Sequence, residues 1–139
     1  MGKITYDQEL MKIISFFESM TGARVKDCFK EGEDLLTFVV EEGEIGKAIG
    51  KGGSNIRRVE SALNRKIKIV EFNPDLTIFT RNLIMPLRAE NIQLKDGVLF
   101  IKGGDAKVRG MLIGRDSKNL KSNEEIIKKY FNIEKIRVV

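Results

Sequence analysis

A repeat at an offset of 64 residues is the feature of this sequence that most constrains its fold. Residues 46–56, GKAIGKGGSNI, align without a gap with residues 110–120, GMLIGRDSKNL. Both copies have glycine at their first and fifth positions, a basic residue at the sixth and asparagine at the tenth. Because the patterns on either side repeat as well, the 139 residues are predicted to form two similar domains, residues 1–72 and residues 73–139.

Capping signals and hydrophobic periodicity predict the order α-β-β-α-α-β in the first unit. A capping box at Thr5 and Gln8 opens the first helix, and Ser54 is placed to cap the last one. The predicted elements are a helix from Thr5 to Gly22, strands at 24–29 and 35–40, helices at 44–49 and from Ser54, and a strand at 66–71.

The second unit is predicted to repeat this order. Asn73-Pro74-Asp75 indicates an N-cap with proline at the first helical position, and Asp105 is a second candidate N-cap. The predicted elements are a helix before Pro86, a hairpin of 91–94 and 98–101, helices at 105–113 and 119–130, and a strand at 133–139. The fold class is therefore α+β, with a three-stranded sheet packed against helices in each unit.

The charge of the chain is unevenly distributed. There are 25 basic and 20 acidic residues, and the net charge of +5 belongs entirely to residues 74–139. Within the first unit, seven acids and one lysine at 27–44 are followed by seven cations and one glutamate at 47–68. A charge run of this kind is often only a solvated face, but this basic run surrounds the glycines of the repeat.

Composition excludes several classes of chemistry. There is no His and a single Cys28, so neither an internal disulfide nor the usual zinc sites and catalytic triads can be built. No apolar run is long enough to span a membrane, and no apolar segment follows the N-terminal residues. We expect a cytoplasmic monomer without cofactor, metal or enzymatic activity.

The sequence Gly50-Lys51-Gly52-Gly53 is predicted to bind phosphate. Glycines allow the backbone to approach an anion closely, and the following helix and Lys51 supply positive charge. A nucleotide-hydrolase loop is excluded because Gly52 stands where a Ser or Thr is required, and a dinucleotide-binding loop because Asn55 replaces its third glycine. The alternative is that these glycines only end one helix and begin another.

The loop, its flanking sequence IGKGGSNIR and the element order resemble the KH domain in its type II arrangement. Two such units without a linker resemble the KH pair of the NusA transcription termination and antitermination factors, and the length is similar to that of archaeal NusA-like proteins. The resemblance implies that the loop holds the backbone of about four unpaired RNA nucleotides, with the bases in an apolar groove.

The resemblance also implies the site residues. The loop itself is matched by Gly50, Lys51, Gly52 and Gly53, and its apolar flanks by Ile49, Ile56 and Val59, for which a core role is the alternative. Electrostatics adds Lys47, Arg57 and Arg58. There is no Trp, and no aromatic residue lies next to either loop, which argues against an RRM or OB surface.

The second copy departs from the pattern. Gly114 and Arg115 are retained, but Asp116 and Ser117 replace the two final glycines, and Asp116 places a carboxylate where phosphate would lie. We expect weaker binding here, supported by Arg115 and Lys118. The implied function is RNA binding in transcription termination or antitermination, with RNA polymerase as a candidate partner. The alternatives are a KH protein of ribosome assembly or RNA processing and, from another class, a phosphate-binding enzyme.

Overall fold

A computed structural model describes residues 6–139, with side chains from Asp7 onward, and divides between Asn73 and Pro74 into two compact units. Each unit has its own sheet. The first unit contains α1 (Tyr6–Thr21), β1 (Val25–Glu31), β2 (Leu35–Val40), α2 (Ile45–Ile49), a 3₁₀ turn (Lys51–Gly53), α3 (Ser54–Leu63) and β3 (Lys66–Glu71). The second contains α4 (Leu76–Ile84), β4 (Asn91–Lys95), β5 (Val98–Lys102), α5 (Ala106–Ile113), a 3₁₀ turn (Arg115–Ser117), α6 (Lys118–Tyr130) and β6 (Lys135–Val138).

The sheet of the first unit is mixed. Its middle strand β2 pairs antiparallel with β1 and parallel with β3, so α2 and α3 form the crossover between the parallel strands. Phe17 of α1 stacks on Phe38 of β2 with ring centroids 4.1 Å apart, and both rings are fully buried. Since Val59 of α3 joins the same core, the helix that follows the glycine loop is anchored to the sheet.

The second unit has the same topology. Strand β5 pairs antiparallel with β4 and parallel with β6. Its core is built around Phe79 of α4, which meets Tyr130 edge-on at 5.6 Å and Phe131 at 5.7 Å. The α+β class and the order α-β-β-α-α-β in each unit are thus confirmed.

Two predicted caps are wrong. Ser54 is the first residue inside α3, and the N-cap is Gly53 in the left-handed conformation, because the glycine turn leads directly into the helix. Likewise, Pro74 is not the first helical residue: Asp75 is the N-cap, and its carboxylate accepts the N–H of Ile78 at 3.1 Å. Asp105 caps α5 as predicted. The capping box at Thr5 lies outside the described residues.

Cys28 is buried in β1, and this burial raises the pKa of its thiol to about 12. Since the thiolate is the reactive form, we expect the folded protein at pH 8 to react with a thiol reagent at least about 100-fold more slowly than the unfolded chain. A time course of Ellman's reagent with and without denaturant measures this difference. Equal rates in the two states would contradict the buried position of Cys28.

The described residues offer neither a membrane span nor a metal cluster. No helix among residues 6–139 is long and apolar enough to cross a bilayer. In the same part of the chain, no three Cys, Asp or Glu side chains come together as a metal site would require.

Candidate nucleic-acid interface

Loop one, residues 50–53, joins α2 to α3 through three glycines with positive φ. Gly50 has φ 76° and ψ 168°, Gly52 has φ 61° and ψ 23°, and Gly53 has φ 77° and ψ 15°. The N–H of Gly53 donates to the carbonyl oxygen of Gly50 at 3.1 Å and closes the turn. L-residues rarely adopt such angles, which favours glycine at these positions.

The glycines of loop one differ in how much room a side chain would have. A Cβ at Gly50 would lie 2.8 Å from the backbone nitrogen and from Cγ of Asn55, so no side chain fits there. A Cβ at Gly52 would meet nothing within 4 Å. Gly50 is therefore required by close packing inside the turn, whereas Gly52 leaves the outer surface of the turn open for a ligand.

Asn55 ties the two helices together across loop one. Its Nδ2 donates to the carbonyl oxygen of Lys47, near the end of α2, at 2.7 Å. Arg57 adds a second tie, because its Nη1 donates to the carbonyl oxygen of Gly52 at 2.7 Å. The repeat contained the signal for the first tie, since asparagine occurs in both copies, but nothing in the sequence indicated its role.

We expect Asn55→Ala to lower RNA affinity by about 5- to 10-fold and stability by about 1 kcal/mol, the net value of one hydrogen bond. Asn119→Ala is the matched control, because Asn119 Nδ2 makes the equivalent bond to the carbonyl oxygen of Met111 at 2.9 Å. The control is expected to lose similar stability and less RNA affinity. Chemical denaturation and RNA titration of both variants measure the two effects, and equal affinity losses would contradict a leading role for loop one.

The N-terminus of α3 is open to an anion. No side chain caps its first turn, and the helix is ten residues long. The first N–H groups of a helix have no partner within the helix, and its dipole makes this end positive. Lys51 is exposed in the turn itself, and Arg58 is exposed on α3. The N–H of Ser54 already donates to the carbonyl oxygen of Lys51. Loop one still combines the positive end of a helix dipole, an exposed lysine and a turn of three glycines, which together suit a phosphate group.

A buried carboxylate holds two further cations beside α2. Glu44 accepts the backbone N–H of Arg24 at 2.8 Å and lies 3.5 Å from Nζ of Lys47 and 3.7 Å from Nε of Arg24. The hydrogen bond from the Arg24 backbone, followed by the two cations, holds the pKa of Glu44 below its usual value. Arg24 was missed by sequence reasoning, since it precedes the basic run by more than 20 residues.

The three candidate apolar flanks of loop one differ in burial. Ile49, the last residue of α2, is 37% exposed and is available to a base. Ile56 is half-buried against the core, and Val59 is fully buried and belongs to the core. Of the three, Ile49 is the most exposed.

Loop two, residues 114–117, has the same backbone as loop one despite its different sequence. Gly114 has φ 75° and ψ 174°, Asp116 has φ 54° and ψ 32°, and Ser117 has φ 61° and ψ 23°. Each pair of angles lies within 25° of the equivalent residue of loop one. The substitutions therefore change the side chains of the turn without changing its backbone.

The charge around loop two does differ from that around loop one. Asp116 exposes its carboxylate at the tip of the turn, next to the exposed cations Arg115 and Lys118. Met111, half exposed, stands at the position of Lys47. Loop two consequently lacks the cation that Lys47 supplies near the end of α2, although Lys107 and Arg109 lie earlier in α5, and it has one anion more at its tip.

Comparison with known proteins identifies the family. The KH domain family profile matches residues 12–84, more than half of the chain. The probable transcription termination protein NusA of Methanocaldococcus jannaschii is 35% identical over the whole of this chain and 77% of its own length. The protein of the same name from Halobacterium salinarum is 29% identical over 97% of this chain and 98% of its own. The chain belongs to the NusA family.

A solved structure supports the NusA family at the level of the fold. The crystal structure of APE1850 covers 94% of this chain with a TM-score of 0.74 and 34% sequence identity, and 98% of that chain is matched. NusA-family KH proteins are non-enzymatic, in agreement with the sequence-based expectation. The chain is therefore a NusA-like protein with a KH domain, and RNA binding is implied by its family.

Proposed function

We propose that this chain binds single-stranded RNA during transcription and acts in termination or antitermination. The observation that carries the proposal is loop one, in which three glycines of positive φ lead into the uncapped N-terminus of α3. A nucleic-acid backbone supplies the anion that such a turn accommodates. The names of the relatives, probable transcription termination proteins, support a role for this binding in transcription.

In the proposed complex, loop one holds the backbone of the RNA and its surroundings provide attraction and an apolar contact. Gly50, Lys51, Gly52 and Gly53 form the clamp. Ile49 contacts a base, and the exposed cations Lys47, Arg57 and Arg58 attract neighbouring phosphates. Arg57 has a second role, because its bond to Gly52 holds the turn in shape.

Loop two is proposed to bind the same RNA with lower affinity. Gly114 keeps the turn, and Arg115 and Lys118 keep attraction for the backbone. Asp116 opposes a phosphate at the tip, since like charges about 4 Å apart repel by about 4 kcal/mol at an effective dielectric constant of 20. The first unit therefore grips the RNA, and the second guides it.

Two measurements test the proposal. Fluorescence anisotropy with an eight-nucleotide unpaired RNA and with a duplex of the same sequence is expected to show preferential, salt-sensitive binding of the unpaired RNA. Equal affinity for both, or turnover of a nucleotide triphosphate, would overturn RNA clamping. A pull-down is then expected to recover RNA polymerase, and recovery of ribosomal precursors in its place would assign the protein to ribosome assembly.

A further inference from the structure

The outward face of the second sheet carries a cluster of cations around an aromatic ring. Along β5, Leu99 and Ile101 are buried in the core, so that Phe100 and Lys102 point to the opposite face. Ile136 of β6 is likewise buried and sends Arg137 outward. We call this surface the basic sheet face; it consists of Gln93, Lys95, Phe100, Lys102, Lys135 and Arg137.

Phe100 lies at the center of the basic sheet face. Its register partners are Gln93 on β4 and Arg137 on β6, both exposed. The ring is half-buried, and with Gln93 and Lys102 it lines an open depression of about 320 Å³. An aromatic ring that is open on one side, next to an amide and a guanidinium, suits a flat ligand with hydrogen-bonding edges.

The charge of the basic sheet face is of one sign. Lys95, Lys102, Lys135 and Arg137 are all exposed, and no acid occupies an outward position on the three strands. At the rim, Glu90 lies 3.2 Å from Nζ of Lys102 and neutralises one of the four cations. A net positive surface remains around the ring, and it complements an anionic backbone.

The corresponding face of the first unit differs. Because Leu35 pairs with Lys66 as Val98 pairs with Lys135, Thr37 and Val39 of β2 correspond to Phe100 and Lys102. Both Thr37 and Val39 are fully buried. Phe29, Lys66 and Lys68 share this face of the first sheet, so the two units differ in that the central strand is covered in the first and open in the second.

We infer that the basic sheet face is a second binding surface for single-stranded RNA, with a base stacked on Phe100 and phosphates on the surrounding cations. Stacking of bases on aromatic rings and attraction to Lys and Arg are the two interactions that hold unpaired nucleic acid. An acidic protein segment would pair with the cations but would not account for the open aromatic ring between them. The inference shares the ligand class of the proposed function and adds a surface independent of both loops.

The test removes the ring and the charges separately in the full chain, with Gly52→Asp present throughout to weaken loop one. Phe100→Leu is expected to lower the affinity for a 30-nucleotide unpaired RNA by about 5- to 100-fold. Phe100→Tyr, which keeps an aromatic ring, is expected to retain the affinity of the parent protein. Lys95→Ala/Lys135→Ala is expected to reduce the slope of log K against log salt by about 1.4, the contribution of two phosphate contacts. Lys12→Ala/Lys128→Ala removes two exposed lysines elsewhere and is expected to leave the slope unchanged.

Crosslinking identifies the contact directly. Irradiation of the protein with 4-thiouridine-substituted RNA, followed by mass spectrometry, is expected to label the peptide that contains Phe100. Unchanged affinity in Phe100→Leu together with an unlabelled Phe100 peptide, the result for a face that binds an acidic protein, would overturn the inference. Failure of the proposed function has a different signature, because Gly52→Asp alone would then leave the affinity for the eight-nucleotide RNA unchanged.

Discussion

Gly52→Asp is expected to lower the affinity for an eight-nucleotide unpaired RNA by at least about 30-fold, or about 2 kcal/mol. The substitution places a carboxylate at the tip of loop one, where a phosphate is proposed to lie, and their repulsion exceeds that value before screening by salt. The turn itself is expected to persist, because Asp116 already adopts φ 54° and ψ 32° at the equivalent position of loop two. Anisotropy titration measures the loss.

Gly32→Asp is the matched control for this variant. Gly32 and Gly52 have φ of 65° and 61°, and a Cβ would meet nothing within 4 Å at either position. The two substitutions therefore introduce the same charge and the same backbone strain, one at loop one and one at the β-hairpin of the first unit. If both variants lost RNA affinity equally, the effect would be one of net charge or stability, and the clamp assigned to loop one would be wrong.

Two double variants compare the contributions of loop one and loop two to RNA affinity. Gly52→Asp/Gly53→Asp is expected to cost more RNA affinity than Arg115→Ala/Lys118→Ala. The first pair of substitutions obstructs the proposed phosphate site of loop one. The second pair removes only two exposed cations from loop two, where Asp116 already repels a phosphate. Equal losses in the two double variants would refute the assignment of gripping to the first unit.

Asp116→Gly/Ser117→Gly is expected to raise RNA affinity by about 10-fold or more when it is introduced into the Gly52→Asp protein. The backbone of loop two already has the angles of loop one, so the substitution removes a carboxylate and a side chain without remodelling the turn. It also removes two L-residues with positive φ, a conformation that costs about 1 kcal/mol for each of them. The free energy of unfolding is therefore expected to stay the same or rise. Titration with unpaired RNA and thermal unfolding measure the two effects.

Asp116→Asn separates charge from shape in this experiment. Asparagine keeps the size of the side chain and tolerates the left-handed conformation, but it carries no charge. If repulsion is the reason for weak binding at loop two, this single change recovers most of the gain. A gain in RNA affinity seen only with glycine would assign the weak binding of loop two to steric obstruction. No gain in either variant would contradict the proposal that Asp116 and Ser117 weaken RNA binding at loop two.

Most of the fold could be predicted from the sequence because its signals are local. Alternating apolar residues specify the strands, helical periodicity specifies the helices, and Asp105 caps α5 as its position indicates. The errors also have local causes. Ser54 was assigned as a cap because serine commonly is one, but the glycine turn places it one residue inside α3. Pro74 was assigned to the first helical position, but Asp75 is the N-cap and α4 begins at Leu76, two residues after Pro74.

The site could be predicted only in part. The clamp glycines and their cations are contiguous in sequence, and the repeat draws attention to them. Arg24, just before β1, meets Glu44, and Asn55 donates to the carbonyl oxygen of Lys47. Neither contact follows from residue type or spacing, since both depend on the position of backbone atoms in the folded chain.

The sequence by itself determined that this chain consists of two KH-like units, one with an intact loop and one with an altered loop, because a repeat and its glycines are readable as a pattern. The tertiary structure decided that the altered loop keeps the same turn and that Val59 belongs to the core. It also placed Phe100 among cations on an open face, although no aromatic residue lies beside either loop in sequence. Such properties depend on pairing register and backbone angles, which arise from contacts between residues far apart in the chain.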